Sequence, residues 1–428
     1  MHRNLILGVM GMTILAWMGR GVVSAAGGPA DAPRAGARIA INMTRETDPV
    51  TGRQVERISP LGANTTLPYY TRELVTADNR GILVASDLSG ELLPYIIYPD
   101  EGHMVCVATT PLRNTSSPGL GGERVVYVSN AGILGYAPQT GGDFTGVSEL
   151  PQGFTYTEPG VSLCGRYAAI VYAESPHPRT RNLLGGPSGE YPSSGSERDA
   201  FGMRSVLLWV DLDTGRTKGV AGSQAPGGHP LVSPVNPWLM EFCNNGPWRQ
   251  VQRMQIARFH EAANLCETTP LFVQEFGHDA VGHEFFLADG RVAAIWMRYA
   301  RQSDPVAQPA ESYILIADPE TGGHVAYETP GMRFNHLHGR DGRVFVSEGL
   351  SAVLRPAAAP LPPRAVSAHG DLLVKYVVAG SRTEPTVLCA LYGTARQHAH
   401  AVLDRENRWA IFNDARGENV GVYRVPLD

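Results

Sequence analysis

The histidines of this chain recur at intervals that suggest a shared chemical task. Four of them are spaced 54, 53 and 62 residues apart, namely His229, His283, His336 and His398. Two of these are followed two residues later by another histidine, at His338 and His400. An imidazole changes charge near physiological pH, and it is also the commonest metal ligand in proteins. The spacing therefore predicts a metal site or a proton-transferring group assembled from several separate segments.

The segments that carry these histidines belong to an internal repeat. Each unit reads as a short strand, a tight turn and a second apolar strand, as in residues 283–296 with their Asp-Gly turn, and many copies close with a strand followed by Asp-x-x-Thr-Gly, as at 210–215 and 317–322. Earlier copies begin near Tyr70, Arg124 and Val161, which brings the number of copies to seven. Strand-rich units of roughly 40 to 60 residues are typical of β-propeller blades. The sequence therefore predicts an all-β fold, a seven-bladed β-propeller, in which residues 27–428 form a single domain.

The repeat also predicts where the histidines lie, because equivalent positions of successive blades circle the central axis at one level. Residues i and i+2 of a strand share a face, so the rings of His398 and His400 can point in one direction. Together with His283 they are expected to converge at one mouth of the channel. A divalent metal would bind such rings in their neutral form, and imidazole suits zinc and manganese alike. A lone histidine, by contrast, is usually a hydrogen-bonded polar or core residue.

Composition narrows the classes of partner. The chain has 43% hydrophobic and 18% charged residues and a formal net charge of −5, without a basic block. Nucleic-acid binding requires a dense positive surface, so no nucleic acid is expected as a partner.

Residues 1–26 are predicted to be a secretory signal peptide. A short charged start at His2 and Arg3 precedes an apolar run over 5–18, and small residues follow at 23–26. The apolar run is too short to span a bilayer comfortably, although an uncleaved membrane anchor is the alternative. We therefore expect a mature form with no membrane segment, located in the periplasm or secreted.

Several stretches, taken in order, resemble the oligogalacturonate lyase family of β-propellers. They include Gly-His-Glu-Phe-Phe at 282–286 and Asn-His-Leu-His at 335–338, together with 228–237, 242–248, 252–254, 398–400 and 413–418. The resemblance covers most of the mature chain and is strongest from about 205 to 426. It implies cleavage of short pectin fragments by β-elimination, and a bound divalent metal, with manganese expected, near the substrate carboxylate.

By motif position, the resemblance assigns His283, His398 and His400 to the metal. The family has a further glutamine ligand three residues before its terminal His-x-His pair, where this chain has Ala395. Gln397 stands directly before His398 instead and is the remaining candidate ligand, although in a strand it would face the opposite side.

A second departure concerns the general base. Asn244 occupies the position of the family's catalytic histidine, and asparagine cannot accept a proton. Elimination removes the proton on C5 of the uronate, so it needs a neutral base and a positive group that stabilises the carboxylate. The candidates for the base are His229, His336 and His338. Arg253 or Arg340 could hold the carboxylate, or each could be an ordinary ion-pair residue.

The predicted function is that of a metal-dependent polysaccharide lyase relative acting on a uronic-acid oligosaccharide. The alternative is a non-catalytic periplasmic propeller that binds a saccharide or a protein partner, and Asn244 is its best support. Retention of metal without an unsaturated product would favour the binding protein.

Overall fold

The computed structural model describes residues 33–151, 154–156, 158–174, 205–221, 227–244, 251–260, 266–299, 310–330, 332–349, 372–392, 398–416 and 419–428. The predicted signal peptide 1–26 and the candidate ligand Gln397 lie outside the described residues. The described part contains β-strands and one short 3-10 helix, Pro99–Glu101, but no α-helix. None of its helices is long and apolar enough to cross a membrane. The prediction of an all-β fold is therefore confirmed.

The strands follow each other closely along the chain. The first fifteen are β1 Arg38–Ala40, β2 Thr44–Thr47, β3 Gln54–Arg57, β4 Thr65–Thr66, β5 Ile82–Ser86, β6 Leu93–Tyr98, β7 His103–Cys106, β8 Gly119–Gly121, β9 Arg124–Val128, β10 Ile133–Pro138, β11 Thr145–Glu149, β12 Phe154–Tyr156, β13 Gly160–Val161, β14 Tyr167–Glu174 and β15 Ser205–Asp211. The next are β16 Thr217–Ala221, β17 Gly227–Val232, β18 Leu239–Asn244, β19 Met254–Phe259, β20 Cys266–Pro270, β21 Asp279–Phe286, β22 Val292–Arg298, β23 Glu311–Ala317, β24 His324–Glu328, β25 Met332–Gly339, β26 Val344–Gly349, β27 Leu372–Ala379, β28 Arg382–Ala390, β29 Val402–Leu403, β30 Trp409–Asp414 and β31 Gly421–Pro426.

These strands pair into six sheets within the described residues. Their strand orders are β1-β7-β6-β5-β4, β11-β10-β9-β8, β12-β14-β15-β16 with β13 on β14, β17-β18-β19-β20, β2-β3-β31-β30-β29 and β21-β22-β23-β24-β28-β27-β26-β25. The eight-stranded sheet consists of two antiparallel groups, β21–β24 and β25–β28, which meet at the parallel pair Glu328 and Arg382. Sequential antiparallel strands joined by short turns are the pattern of propeller-like folds.

The repeated turn signals connect neighbouring strands. At the Asp-x-x-Thr-Gly turn after β15, the amide of Gly215 donates to the carbonyl of Asp211 at 2.8 Å, and Gly215 has φ of +69°. The turn after β23 repeats this geometry at Asp318 and Gly322. Glycine fits both positions because it adopts a left-handed φ without steric cost.

Both ends of the described chain share one sheet. Strands β2 and β3 come from its beginning and β29 to β31 from its end, and Glu56 pairs with Arg424 where the two meet. The Arg424 Nε lies 2.7 Å from Glu56 Oε2, and both side chains are buried. The last strand therefore pairs both with β30 and with the N-terminal segment, which leaves fewer free edges.

Apolar side chains fill the space between neighbouring sheets. One cluster combines Leu231 of β17, Phe285 of β21, Leu337 of β25 and Tyr376 of β27. Strand β5 is buried at every residue, because both faces of its sheet are covered. Full burial of such a side chain stabilises the fold by about 1.5–3 kcal/mol, so the sheets form a rigid support for the strands at their edges.

Candidate metal and substrate site

Strands at the edges of the sheets carry the repeated histidines. His229 lies on β17, His283 on β21 and His336 on β25, and each of these strands stands at one end of its sheet's strand order. His398 and His400 directly precede β29, which is the edge of the sheet that contains both chain ends. The repeat thus places five imidazoles at four equivalent positions of the fold, with His398 and His400 sharing one of them.

The backbone is irregular at three of these histidines. The φ angle is +46° at His229, +59° at His283 and +43° at His400, in a region that non-glycine residues rarely occupy. The pairing register of β17 shifts across His229, and that of β21 shifts across His283. Bulges and left-handed residues re-aim side chains and are enriched at functional sites. These left-handed backbone conformations destabilise the fold locally, and they determine the direction in which the three rings point.

His336 lies at the centre of a group of rings. Its ring centroid is 4.8 Å from that of His283 and 4.6 Å from those of His398 and His400. His398 and His400 stack at an interplanar angle of 6° with centroids 5.6 Å apart. We call His283, His336, His398 and His400 the histidine cluster. It unites three histidines predicted as metal ligands with one that was predicted as a base.

Glu348 adds a carboxylate to the histidine cluster. It lies on β26, and its Oε1 is 3.4 Å from Nδ1 of His336 and accepts the amide of Ala399 at 2.8 Å. The ligand atoms of His336, Glu348 and His398 all lie within 4.8 Å of one another. Sequence reasoning missed Glu348, whose only signal was an acidic residue inside an apolar strand. These three residues form the group best placed to hold a divalent ion.

Two tyrosines that the sequence analysis did not assign to the site line the histidine cluster. The ring of Tyr70 is 4.9 Å from that of His336, and the ring of Tyr69 is 5.3 Å from that of His400. Burial raises the pKa of both phenols above the usual value, so both hydroxyls stay protonated. The wall they form is aromatic, with neutral hydroxyl groups.

His229 lies beside the histidine cluster and is more accessible than His336. Its ring stacks on Tyr69 with centroids 4.7 Å apart, and its Nδ1 is 3.9 Å from Glu158 Oε2. Its side chain is 26% exposed, against 8% for His336. Glu158 also lies 3.6 Å from Nη2 of Arg72. The imidazole of His229 is therefore partly accessible, lies near the carboxylate of Glu158 and stacks on the ring of Tyr69.

Burial keeps imidazoles of the site neutral. Burial first, and the neighbouring His336 second, hold the pKa of His283 and His400 well below the ordinary histidine value. Burial also lowers the pKa of His229, although Glu158 opposes that change. A neutral ring offers a nitrogen lone pair to a metal or to a proton, so these side chains suit either task.

Arg253, predicted as a holder of the substrate carboxylate, is engaged in a buried ion pair. Its Nε lies 3.3 Å from Oε2 of Glu284, the residue after His283. Burial alone would raise the pKa of Glu284, but Arg253 holds that pKa below its ordinary value. Burial raises the pKa of a second buried carboxyl, Glu241, well above its usual range. Arg253 therefore supports the strand that carries His283.

Asn244 ends β18, the strand paired with β17. Its side-chain amide donates to the carbonyl of Gln252 at 2.9 Å, and its backbone amide donates to the carbonyl of Arg253 at 2.8 Å. Only 8% of the residue is exposed. The asparagine thus stands one strand away from His229 and stabilises the local turn through its amide.

His338 lies further along β25 than His336, and Arg340 directly follows that strand. Nδ1 of His338 accepts the amide of Leu403 at 3.0 Å, and its ring stacks on Phe285 at 5.5 Å. Arg340 pairs with Glu73 at 2.5 Å. The ring of His338 is therefore separated from that of His336 although the two residues share a face of the strand, because a step of two residues is about 6.6 Å.

Two solved structures have the same fold as this chain. An oligogalacturonate lyase from Vibrio parahaemolyticus matches with a TM-score of 0.72 and 18% identity, covering 92% of this chain and 98% of its own. The chain has the fold of oligogalacturonate lyase. A structure described as oligogalacturonate lyase in complex with manganese matches with a TM-score of 0.73 and 17% identity, with the same coverage of 92% and 98%. No family model and no curated protein matches this chain. The resemblance to oligogalacturonate lyase is thus confirmed at the level of the fold.

Proposed function

We propose that this protein is a metal-dependent polysaccharide lyase relative that cleaves a uronate-containing oligosaccharide by β-elimination. The observation that carries the proposal is the convergence of the histidine cluster and Glu348 on one place in the oligogalacturonate lyase fold. Four imidazoles and a carboxylate from segments far apart in the chain would be a costly arrangement in a purely structural core. They are a common ligand set for a first-row divalent cation.

The donor set fits a divalent ion. His336, Glu348 and His398 supply two imidazoles and one carboxylate, with ligand atoms within 4.8 Å of one another. Ligand atoms at about 2.0–2.2 Å from one centre stand somewhat closer together than this, so a small side-chain movement would complete the site. His283 and His400 border the same space and can add further nitrogens. We propose manganese as the ion because a solved structure with the same fold is described as a complex with manganese, and zinc is the second choice because imidazole is one of its usual ligands.

His229 is the proposed general base. Of the three histidines considered for this role, His336 belongs to the ligand group and His338 uses Nδ1 to accept a backbone amide. His229 is partly exposed beside the histidine cluster, so its ring can approach the C5 proton of a bound uronate. Glu158, 3.9 Å away, would stabilise the imidazolium that forms. A bound divalent ion supplies the positive charge that the substrate carboxylate requires in the transition state.

Unsaturated products from uronic-acid oligosaccharides test the proposal. The purified mature protein, loaded with Mn²⁺, is incubated with a panel of such oligosaccharides, and the ultraviolet absorbance of the new double bond is followed. We expect turnover of at least one substrate, its loss in His398→Ala together with stoichiometric metal, and no effect of His260→Ala, whose side chain is 46% exposed. Absence of unsaturated product from every substrate would refute the lyase.

A second candidate function is a non-catalytic saccharide-binding protein. Asn244 favours it, because the residue is buried and its amide is engaged with Gln252 rather than directed to a substrate. Stoichiometric metal and saturable oligosaccharide binding without an unsaturated product would assign this function instead.

The proposed architecture is a single seven-bladed β-propeller over residues 27–428. If the eight-stranded sheet is divided at its parallel pair, β21–β24 and β25–β28 become two blades, and together with the other five sheets they make seven. We further propose that residues 1–26 are a signal peptide and that the mature protein is periplasmic or secreted. N-terminal sequencing of the exported protein should begin near Ala26 or Gly27, whereas a start at Met1 would contradict export by cleavage.

A further inference from the structure

A cavity lies at the C-terminal ends of the strands that carry His229, His283 and His336. It is lined by residues that follow the histidines along their strands, among them Leu231, Phe285 and Arg340. Arg340 comes four residues after His336, which corresponds to about 13 Å along a strand at roughly 3.3 Å per residue. Arg340 therefore lies well beyond the histidine cluster, whereas Arg72 of the lining approaches Glu158, which also lies beside His229.

Charged side chains from three segments meet in this cavity. Arg340 follows β25, Arg405 follows β29 and Glu73 precedes β5. Oε2 of Glu73 lies 2.5 Å from Nη2 of Arg340 and 2.9 Å from Nη2 of Arg405, so one carboxylate serves two guanidinium groups. Oε1 of the same carboxylate accepts the amide of Val75 at 3.0 Å. The single negative charge of Glu73 therefore cannot balance the two positive charges of Arg340 and Arg405.

Arg72 adds a third guanidinium to the lining. Its side chain is 1% exposed, and its Nε donates to the carbonyl of Pro159 at 2.7 Å. Its two terminal nitrogens have no hydrogen-bond partner within the described residues, and the nearest carboxylate oxygen, on Glu158, is 3.6 Å from Nη2. A buried guanidinium with unused donors is costly unless an acceptor joins it.

The charges of the cavity do not cancel. Arg72, Arg340 and Arg405 face Glu73 and Glu158, which leaves one positive charge in excess. The rest of the lining is largely apolar and includes Val161, Leu231 and Phe285. An excess charge between apolar walls attracts an anion more strongly than it would in water.

We propose that this cavity, at the C-terminal ends of the strands that carry the histidines, binds an organic carboxylate. Planar guanidinium groups recognise carboxylates through paired hydrogen bonds, and Arg405 has a terminal nitrogen, Nη1, that no described residue engages. The apolar walls would contact the body of the acid. The proposal does not depend on the proposed lyase function.

Ligand-observed NMR titration of the full mature protein tests this site at constant ionic strength. The probes are butyrate, galacturonate and the neutral analogue butyramide. We expect saturable binding of at least one of the two acids and none of butyramide. Binding of butyrate alone identifies an apolar acid as the ligand class, and binding of galacturonate identifies a sugar acid. No saturable binding of either acid overturns the proposal.

Two substitutions that are expected to change the affinity in opposite directions distinguish a binding site from a structural ion pair. Arg405→Gln should weaken binding at least tenfold, because a charge-assisted hydrogen bond is lost. Glu73→Gln should tighten binding several-fold, because it removes the competing carboxylate while preserving the side-chain shape. Arg408→Gln, at an arginine 59% exposed, is the matched control and should change nothing. Unchanged affinity in Arg405→Gln, or weaker binding in a folded Glu73→Gln variant, would contradict the site. His398→Ala should retain the binding, and loss of galacturonate binding there would assign it to the histidine cluster instead.

Discussion

The substitution Glu348→Gln tests the proposed metal site at the residue that the sequence did not reveal. Glutamine has nearly the same shape as glutamate but carries no charge. Its side-chain carbonyl can still accept the amide of Ala399, which Oε1 of Glu348 accepts at 2.8 Å. The backbone between His398 and His400 should therefore keep its position, and only the negative charge is lost.

The expected loss of metal affinity follows from the 3.4 Å between Glu348 Oε1 and His336 Nδ1. If the carboxylate only orients the ring of His336, its removal costs about 10–100-fold in affinity, or about 1.4–2.8 kcal/mol. If an oxygen binds the ion directly, the loss is larger, because an anionic ligand is replaced by a weaker neutral one. Both arrangements predict a dissociation constant for Mn²⁺ at least about tenfold higher.

Calorimetric titration of Mn²⁺ into protein freed of metal by chelator measures this constant. Glu384→Gln is the matched control, because Glu384 is an exposed residue of β28 in the same group of strands. Urea denaturation of both variants without metal checks the fold, and we expect the free energy of unfolding to stay within about 1 kcal/mol of the wild type. An unchanged affinity in a folded Glu348→Gln variant would show that the ion does not bind beside this carboxylate.

Three further results follow from the site and the fold. His229→Gln should lower the elimination rate by about 10²–10⁴-fold without loss of Mn²⁺, whereas Asn244→His should change the rate only a few-fold, and a large rise in the rate of Asn244→His would assign the base to that position instead. In metal-free protein, burial holds the pKa values of His283 and His400 well below 6.5, the ordinary histidine value. As the pH falls below 6.5, these two histidines are protonated in the unfolded chain but stay neutral in the folded chain. The free energy of unfolding should therefore decrease by up to about 1.4 kcal/mol per pH unit for each histidine, and chelator-treated protein with equal urea midpoints at pH 7 and 5.5 would contradict this. Arg424→Ala should lower the free energy of unfolding by about 2 kcal/mol, because the carboxylate of Glu56 loses one charge-assisted hydrogen bond and keeps only its pairing with Arg45 at 2.7 Å, and an unchanged free energy of unfolding would show that the Arg424 pair is screened by solvent.

The repeat in the sequence predicted the all-β fold because its turn chemistry is local. The Asp-x-x-Thr-Gly turns close at Gly215 and Gly322 as glycine requires, and each joins two adjacent strands of one sheet. The convergence of His283, His398 and His400 could be predicted for a related reason. Equivalent positions of a repeat occupy equivalent places in the fold, so sequence spacing is converted directly into proximity.

The remaining features of the site depend on distance between segments, which sequence spacing does not record. Glu348 reaches the histidine cluster from β26, the second strand of its sheet, and the repeat has no equivalent acid that would have indicated it. Tyr69 and Tyr70 approach from the segment between β4 and β5, more than 150 residues before His229 in the chain. An ion pair was one of the two roles predicted for Arg253, but its partner Glu284 lies on a strand of another sheet, so residue type alone could not identify that partner.

The sheet shared by the two ends of the chain sets the order in which the molecule can be completed. Strands β2 and β3 are synthesised long before β31, the strand that pairs with β3. Until β31 has been synthesised, one edge of β3 is unpaired. The sheets formed by the strands between β3 and β31 in the chain can already assemble by then. A product that stops before residue 421 would lack β31 and its pairing with β3, so it should remain open at this sheet and be susceptible to proteolysis. The same proximity of the ends makes the chain a good subject for circular permutation, with new termini placed in an exposed turn such as that at Gly322.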